Sequence, residues 1–166
     1  MITNALELGT QLLIIDGKPE PSKITPIVQP YGWPKPILGG LWTSTYDAKN
    51  HTSAWNERCL KVLDDGKQAR ETWKQDWWLL TPEESYQAYV VNFLYDFQCC
   101  LDEYGSEHKG KRTIDFKALQ AAGFAAFHVT ARGYAECRKS WKDGLGMWEC
   151  ESTFWFRWCF SKVEQI

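Results

Sequence analysis

The stretch Trp148-Glu149-Cys150-Glu151-Ser152-Thr153-Phe154-Trp155-Phe156-Arg157-Trp158-Cys159-Phe160 constrains the fold more than any other part of the chain. Read with period two, its even positions are Trp148, Cys150, Ser152, Phe154, Phe156, Trp158 and Phe160. The odd positions are Glu149, Glu151, Thr153, Trp155, Arg157 and Cys159. One side is aromatic and apolar, the other mostly polar. That alternation predicts a half-buried strand, which aromatic residues favour. A strand this apolar on one side belongs in the middle of a sheet, and it reads as the closing strand, running to about Val163. Its polar side then presents Glu149 and Glu151 next to each other, with Arg157 further along.

The rest of the chain alternates irregularly between strands and short helices. Residues 1–9 read as a loose lead-in. Gln11–Ile15 is a short apolar strand closed by Asp16-Gly17. A second short strand is expected over Ile24–Val28, at an edge because of Pro26. The segment from Gln29 to Pro36 is an ordered, proline-rich loop around Tyr31 and Trp33. After Gly39-Gly40, a pair that permits close backbone approach to a ligand or a neighbouring strand, a strand carries Leu41, Thr43 and Thr45 on one side. Trp42, Ser44 and Tyr46 lie on the other. Ser53 caps a helix over 54–64, with Trp55, Cys59, Val62 and Leu63 on one face, ended by Asp65-Gly66. A strand is expected within 73–80, best placed at 76–80.

Residues 82–104 read two ways. Thr81-Pro82-Glu83-Glu84 matches a helix start, and apolar residues recur at helical spacing to Tyr104. Tyr89-Val90-Val91 is strand-like, however, and strand followed by helix 93–104, with Asn92 as its cap, is the preferred reading. Glu107–Arg112 reads as a charged loop. Asp115 caps a helix over 116–122 ended by Gly123. Phe124–Thr130 reads as a strand, Gly133–Lys139 as a helical turn and Trp141–Gly146 as a loop. The order implies α+β: a compact, mostly antiparallel sheet with short helices, in one domain over 1–166.

Composition narrows the function. The chain has 166 residues, of which 44% are hydrophobic, enough for a core. Ten tryptophans are unusual, and some of these rings are expected to line a cleft. The net charge of −2 and the lack of a basic stripe disfavour nucleic acid as partner. Six cysteines and three histidines occur without zinc-ligand spacing, so no metal site is expected and a reduced, cytoplasmic compartment fits. The N-terminus lacks the pattern of a secretion signal, and no apolar run approaches the roughly 20 residues that span a bilayer. No dinucleotide-fold, P-loop or nucleophile-elbow motif is present.

Three constellations could carry chemistry. Glu149 and Glu151 are either solvated acids or a pair tuned by the neighbouring Trp and Arg157 for acid–base or cation-stabilising work. Gly39–Thr45 is either a tight turn with packing hydroxyls or a cradle for a ribose or carboxylate, with Trp42 able to stack. His128, among apolar neighbours, reads more readily as a hydrogen-bonded core residue than as a catalyst. His51 and His108 fall in polar loops.

Taken together, Gly40-Leu-Trp-Thr-Ser44, Ser53-Ala-Trp55, Asp115-Phe116 and Trp148-x-Cys-Glu-Ser152 resemble a group of small proteins of bacteria and their phages. That group looks like the ADP-ribosyltransferase fold. The resemblance, spanning roughly 10–163, implies NAD as substrate. It implies Gly40, Trp42, Thr43 and Ser44 at the cofactor, Glu151 as the acid that stabilises the ribosyl cation, and Glu149 as the acid that handles the acceptor. The acceptor implied is a host macromolecule, with a protein foremost. Residues 11–16 offer Gln11 and Asp16 where such transferases have Arg or His. A competing expectation is a non-catalytic protein-binding inhibitor that grips its partner with a Trp-rich surface.

Overall fold

The computed structural model describes residues 1–64, 75–138, 145 and 148–166, with only the backbone of 62–64. The expected helix end at Asp65-Gly66, the face carried by Val62 and Leu63, and the loop at 141–146 except Leu145 lie outside the described residues, as do Trp73 and Lys139. The chain is α+β. Its strands are β1 (Ile2–Asn4), β2 (Gln11–Ile15), β3 (Leu41–Asp47), β4 (Thr52–Ser53), β5 (Asp76–Pro82), β6 (Gln87–Val91), β7 (Gly105–His108), β8 (Lys111–Ile114), β9 (Ala126–Val129), β10 (Ser152–Trp155) and β11 (Phe160–Gln165). Among the described residues, four short helices accompany them: α1 (Ala54–Asp64), α2 (Leu94–Tyr104), α3 (Phe116–Ala121) and α4 (Ala131–Cys137).

Nine strands form one mixed, curled sheet in the order β1-β6-β9-β10-β3-β2-β5-β11, with β4 attached to β3. β6 and β9 run parallel, and the other pairings in it are antiparallel. β10 is central, between β9 and β3. The expected long closing strand is broken, however. β10 stops at Trp155, Phe156 N donates to Ala125 O, and β11 reappears beside β5 at the far edge of the sheet.

The half-buried expectation also fails at β10. Ser152, Thr153, Phe154 and Trp155 are all buried, because both faces of the sheet are covered. Phe154 packs in one core with Phe116, Phe127, Trp148 and Phe156, joined by edge-to-face and tilted ring contacts. Trp155 packs in a second core with Leu13, Leu80, Val90 and Phe160. The turn after Trp155 reverses the parity, so Phe160 joins the core of the odd-numbered Trp155. Period two therefore holds from Ser152 through Phe156, which shares the Phe154 core, and is lost by Phe160.

Other expectations are corrected locally. No strand forms over 24–28; a 3-10 turn at Pro21–Lys23 is followed by a lone bridge between Val28 and Leu38. Residues 1–9 are tied down: β1 pairs with β6, Ala5 and Leu8 are buried, and the Met1 amino group donates to Val90 O at 3.0 Å. Residues 105–114 form a two-stranded hairpin, turning at Lys109-Gly110 with positive φ at both. The 82–104 ambiguity resolves as strand then helix. Asn92 does not cap α2: the Asp96 carboxylate reaches back to accept from Asn92 N and Phe93 N, at 3.0 and 2.9 Å. The helix over 54–64 is present, but Trp55 is exposed while Asn56 is buried.

Gly40 joins the central strands. Its φ is +63°, and a Cβ there would collide with the Phe154 ring and with the Trp155 carbonyl oxygen at 2.7 Å. The Gly pair thus serves close packing against a neighbouring strand. Gly40→Ala is expected to destabilise the fold by about 2 kcal/mol or more, from a strained backbone plus overpacking. The urea midpoint checks this, with an unchanged slope as the sign that only stability moved.

Candidate functional site

Alternation along β3 puts Thr43 and Thr45 on the Trp155 side of the sheet, and Trp42 and Ser44 on the other. The register opposes Thr43 to Thr153, Thr153 to His128 and Thr45 to Gln11. Four strands therefore deliver a row of polar side chains to one buried layer. Gln11, Thr43, Thr153 and His128 are all buried.

Glu151, one residue before β10, enters the same layer and is 8% exposed. Its Oε2 accepts from Ser44 Oγ at 2.5 Å, and its Oε1 from Thr45 Oγ1 at 2.9 Å. Thr45 N lies 3.1 and 3.2 Å from the two oxygens. Burying a carboxylate without such donors is severely unfavourable, and hydrogen bonds to a charged group contribute about 1.5–3 kcal/mol each. Ser44 Oγ in turn accepts from Trp55 N at 3.3 Å. One hydroxyl thus ties the start of α1 to the acid.

The remaining bonds fix the direction of every proton. Gln11 Nε2 lies 3.0 Å from Leu8 O and 3.3 Å from Gly9 O, which only accept, so the amide orientation is assigned. Gln11 Oε1 then accepts from Thr43 Oγ1 at 2.7 Å and Thr153 Oγ1 at 2.8 Å. Trp155 Nε1 donates to Thr43 Oγ1 at 2.8 Å. Because the Thr153 proton goes to Gln11, His128 Nδ1 donates to Thr153 Oγ1 at 2.8 Å. His128 is therefore the Nδ1–H tautomer. Burial pushes its pKa below the ordinary 6.5, against a smaller upward pull from Glu151, whose Oε1 is 3.7 Å from Nδ1. His128 is neutral, and the contact is polar rather than ionic.

The two acids expected side by side are separated. Glu149 is half-exposed and pairs with Arg58 at 3.4 Å. It lines a cavity of about 420 Å³ together with Gly40, Trp42, Thr43, Trp55 and Trp148. Ser44 and Glu151 are not among the lining residues. Arg157 reaches neither acid; its guanidinium donates to Phe124 O at 3.3 Å. Of the residues expected at the cofactor, Gly40, Trp42 and Thr43 border the cavity, whereas Ser44 holds Glu151. Two residues of the layer were not among the candidates read from sequence, Gln11 and Thr153; Thr45 fell within the Gly39–Thr45 constellation. The alternation of β3 placed Thr45 with Thr43, but nothing local flags a buried Gln at a strand start.

The six cysteines are free. Burial pushes the Cys150 thiol, which lines the cavity, up to about 12, so it is not a thiolate near neutral pH. Among the described residues, no helix is long and apolar enough to cross a membrane.

Linkage gives the pH dependence of stability. With the folded pKa of His128 below 6.5, folded and unfolded states bind the same protons above that pH. Below it the unfolded state takes up a proton that the folded state refuses, so stability falls until the depressed folded pKa is reached. His128→Asn, which offers an amide donor near the Nδ1 position, is expected to flatten this fall. Urea unfolding from about pH 7.5 to about pH 5 checks it. No protein-family model matches the chain, and no curated protein or solved structure matches it either.

Proposed function

We propose that the protein is an ADP-ribosyltransferase-like enzyme that splits the nicotinamide–ribose bond of NAD and passes the ADP-ribosyl group to a macromolecule. One observation carries the reading. Ser44 and Thr45 of the hydroxyl strand meet Glu151, more than a hundred residues away, at 2.5–3.2 Å. The segments that the resemblance assigns to the first strand, the hydroxyl strand and the acid are β2, β3 and the start of β10, which are neighbours in the sheet.

In this reading Glu151 is the fixed negative charge beside the developing ribosyl cation, an arrangement akin to glycoside cleavage. Its two β3 partners hold it in one orientation, so little reorganisation is needed as charge develops. Glu149, exposed and anchored by Arg58, is the acid available to an acceptor at the surface. Gln11 stands where the related transferases have Arg or His, so NAD is held without a first-strand cation, which implies weak binding.

A second reading has its own support: non-catalytic binding of a host protein. Glu151 is nearly enclosed and both its oxygens already have donors, while Trp33 and Trp55 are exposed and suited to an interface. The two readings diverge on one experiment. Under the enzymatic reading, saturating NAD raises the melting temperature; at about 100 times the dissociation constant the gain is about 2.7 kcal/mol, or about 5–10 °C. Glu151→Gln then lowers NAD hydrolysis or transfer by about 100-fold or more. No shift at millimolar NAD, or equal turnover by Glu151→Gln, would leave the binding protein.

A further inference from the structure

The cavity bounded by Trp42, Trp55 and Trp148 lies apart from the Glu151 carboxylate. Trp42, with Ser152, points to the side of the sheet opposite Thr43, Thr153 and His128. Two observations define what fits it. The walls are aromatic and aliphatic, with Trp42 and Trp148 centroids 4.8 Å apart and their planes at 62°.

The second observation is charge. Lys35 Nζ stands 5.7 Å from the Trp42 ring centroid and has no acidic partner among the described residues. Arg58 and Glu149 offset each other at the same rim, so the local balance is positive. Apolar walls with a few polar groups are the usual make-up of a small-molecule site, and about 420 Å³ suffices for a bicyclic ring and one substituent.

The geometry points to a binding site for a flat aromatic molecule bearing an anionic group. Its ring lies against the indoles, and its anion faces Lys35. This site shares Gly40, Trp42 and Thr43 with the residues that the NAD reading places at the cofactor, but it uses neither Glu151 nor the Ser44–Thr45 pair, so Glu151→Gln separates the two readings.

The test is calorimetric titration of the full chain with indole-3-acetate, indole and tryptamine, which share a ring and differ in charge. Indole-3-acetate is expected to bind about tenfold tighter than tryptamine, the worth of one charge-assisted contact. Lys35→Gln, a change at a half-buried side chain, should erase that preference. Glu151→Gln should leave indole-3-acetate binding unchanged. The proposal is overturned if none of the three binds at millimolar concentration, or if all bind equally. It is also overturned if Lys35→Gln keeps the preference, or if a folded Glu151→Gln loses binding.

Discussion

The structure turns on a buried carboxylate held by a strand it meets only through tertiary folding. Glu151 has left water, a change worth several kcal/mol against the fold, and is compensated by Ser44 and Thr45. Because the donors come from β3 and the acceptor from the start of β10, this contact fixes where the two central strands begin to pair. Gln11 extends the hold to β2 and, through Leu8 O and Gly9 O, to the N-terminal segment. Such a network rigidifies a core when every member is satisfied and is costly when one is missing.

The two faces of the sheet do different work. On the Thr43 side, hydroxyls, an amide, an imidazole and a carboxylate are packed between strands with the second core around them. On the Trp42 side, aromatic rings fill the larger core and bound a cavity. A single alternating strand, β3, supplies both, and Gly40 allows it to lie close enough to Phe154 and Trp155 for the faces to form. Ser44 is the exception to the division: it lies on the Trp42 side yet reaches Glu151, and it links that acid to the first turn of α1.

Much of this was legible in local patterns. The Gly39-Gly40 pair, the alternation after it and the Ser53 and Asp115 caps all work through near neighbours, and they appear where expected. What failed depended on long-range geometry. Glu149 and Glu151 look equivalent in sequence, but the position just before β10 turns one inward and leaves the other beside Arg58. Trp155 looked solvent-facing because its neighbours at odd positions are polar; a second core covers that face. Ile24–Val28 had the residues of a strand, but Pro26 and Gly39 press together instead, and only Val28 finds a bridge. Gln11 carried no signal, since its role exists only once β3 and β10 lie beside β2.

The central claim is that Ser44 and Glu151 stabilise the fold together rather than separately. A double-mutant cycle measures that directly, with Ser44→Ala, Glu151→Gln and the double variant unfolded by urea at neutral pH. The account predicts a coupling of about 1–3 kcal/mol, with the double variant less destabilised than the sum of the singles. Additivity within about 0.3 kcal/mol would contradict it, because residues without a shared interaction behave that way.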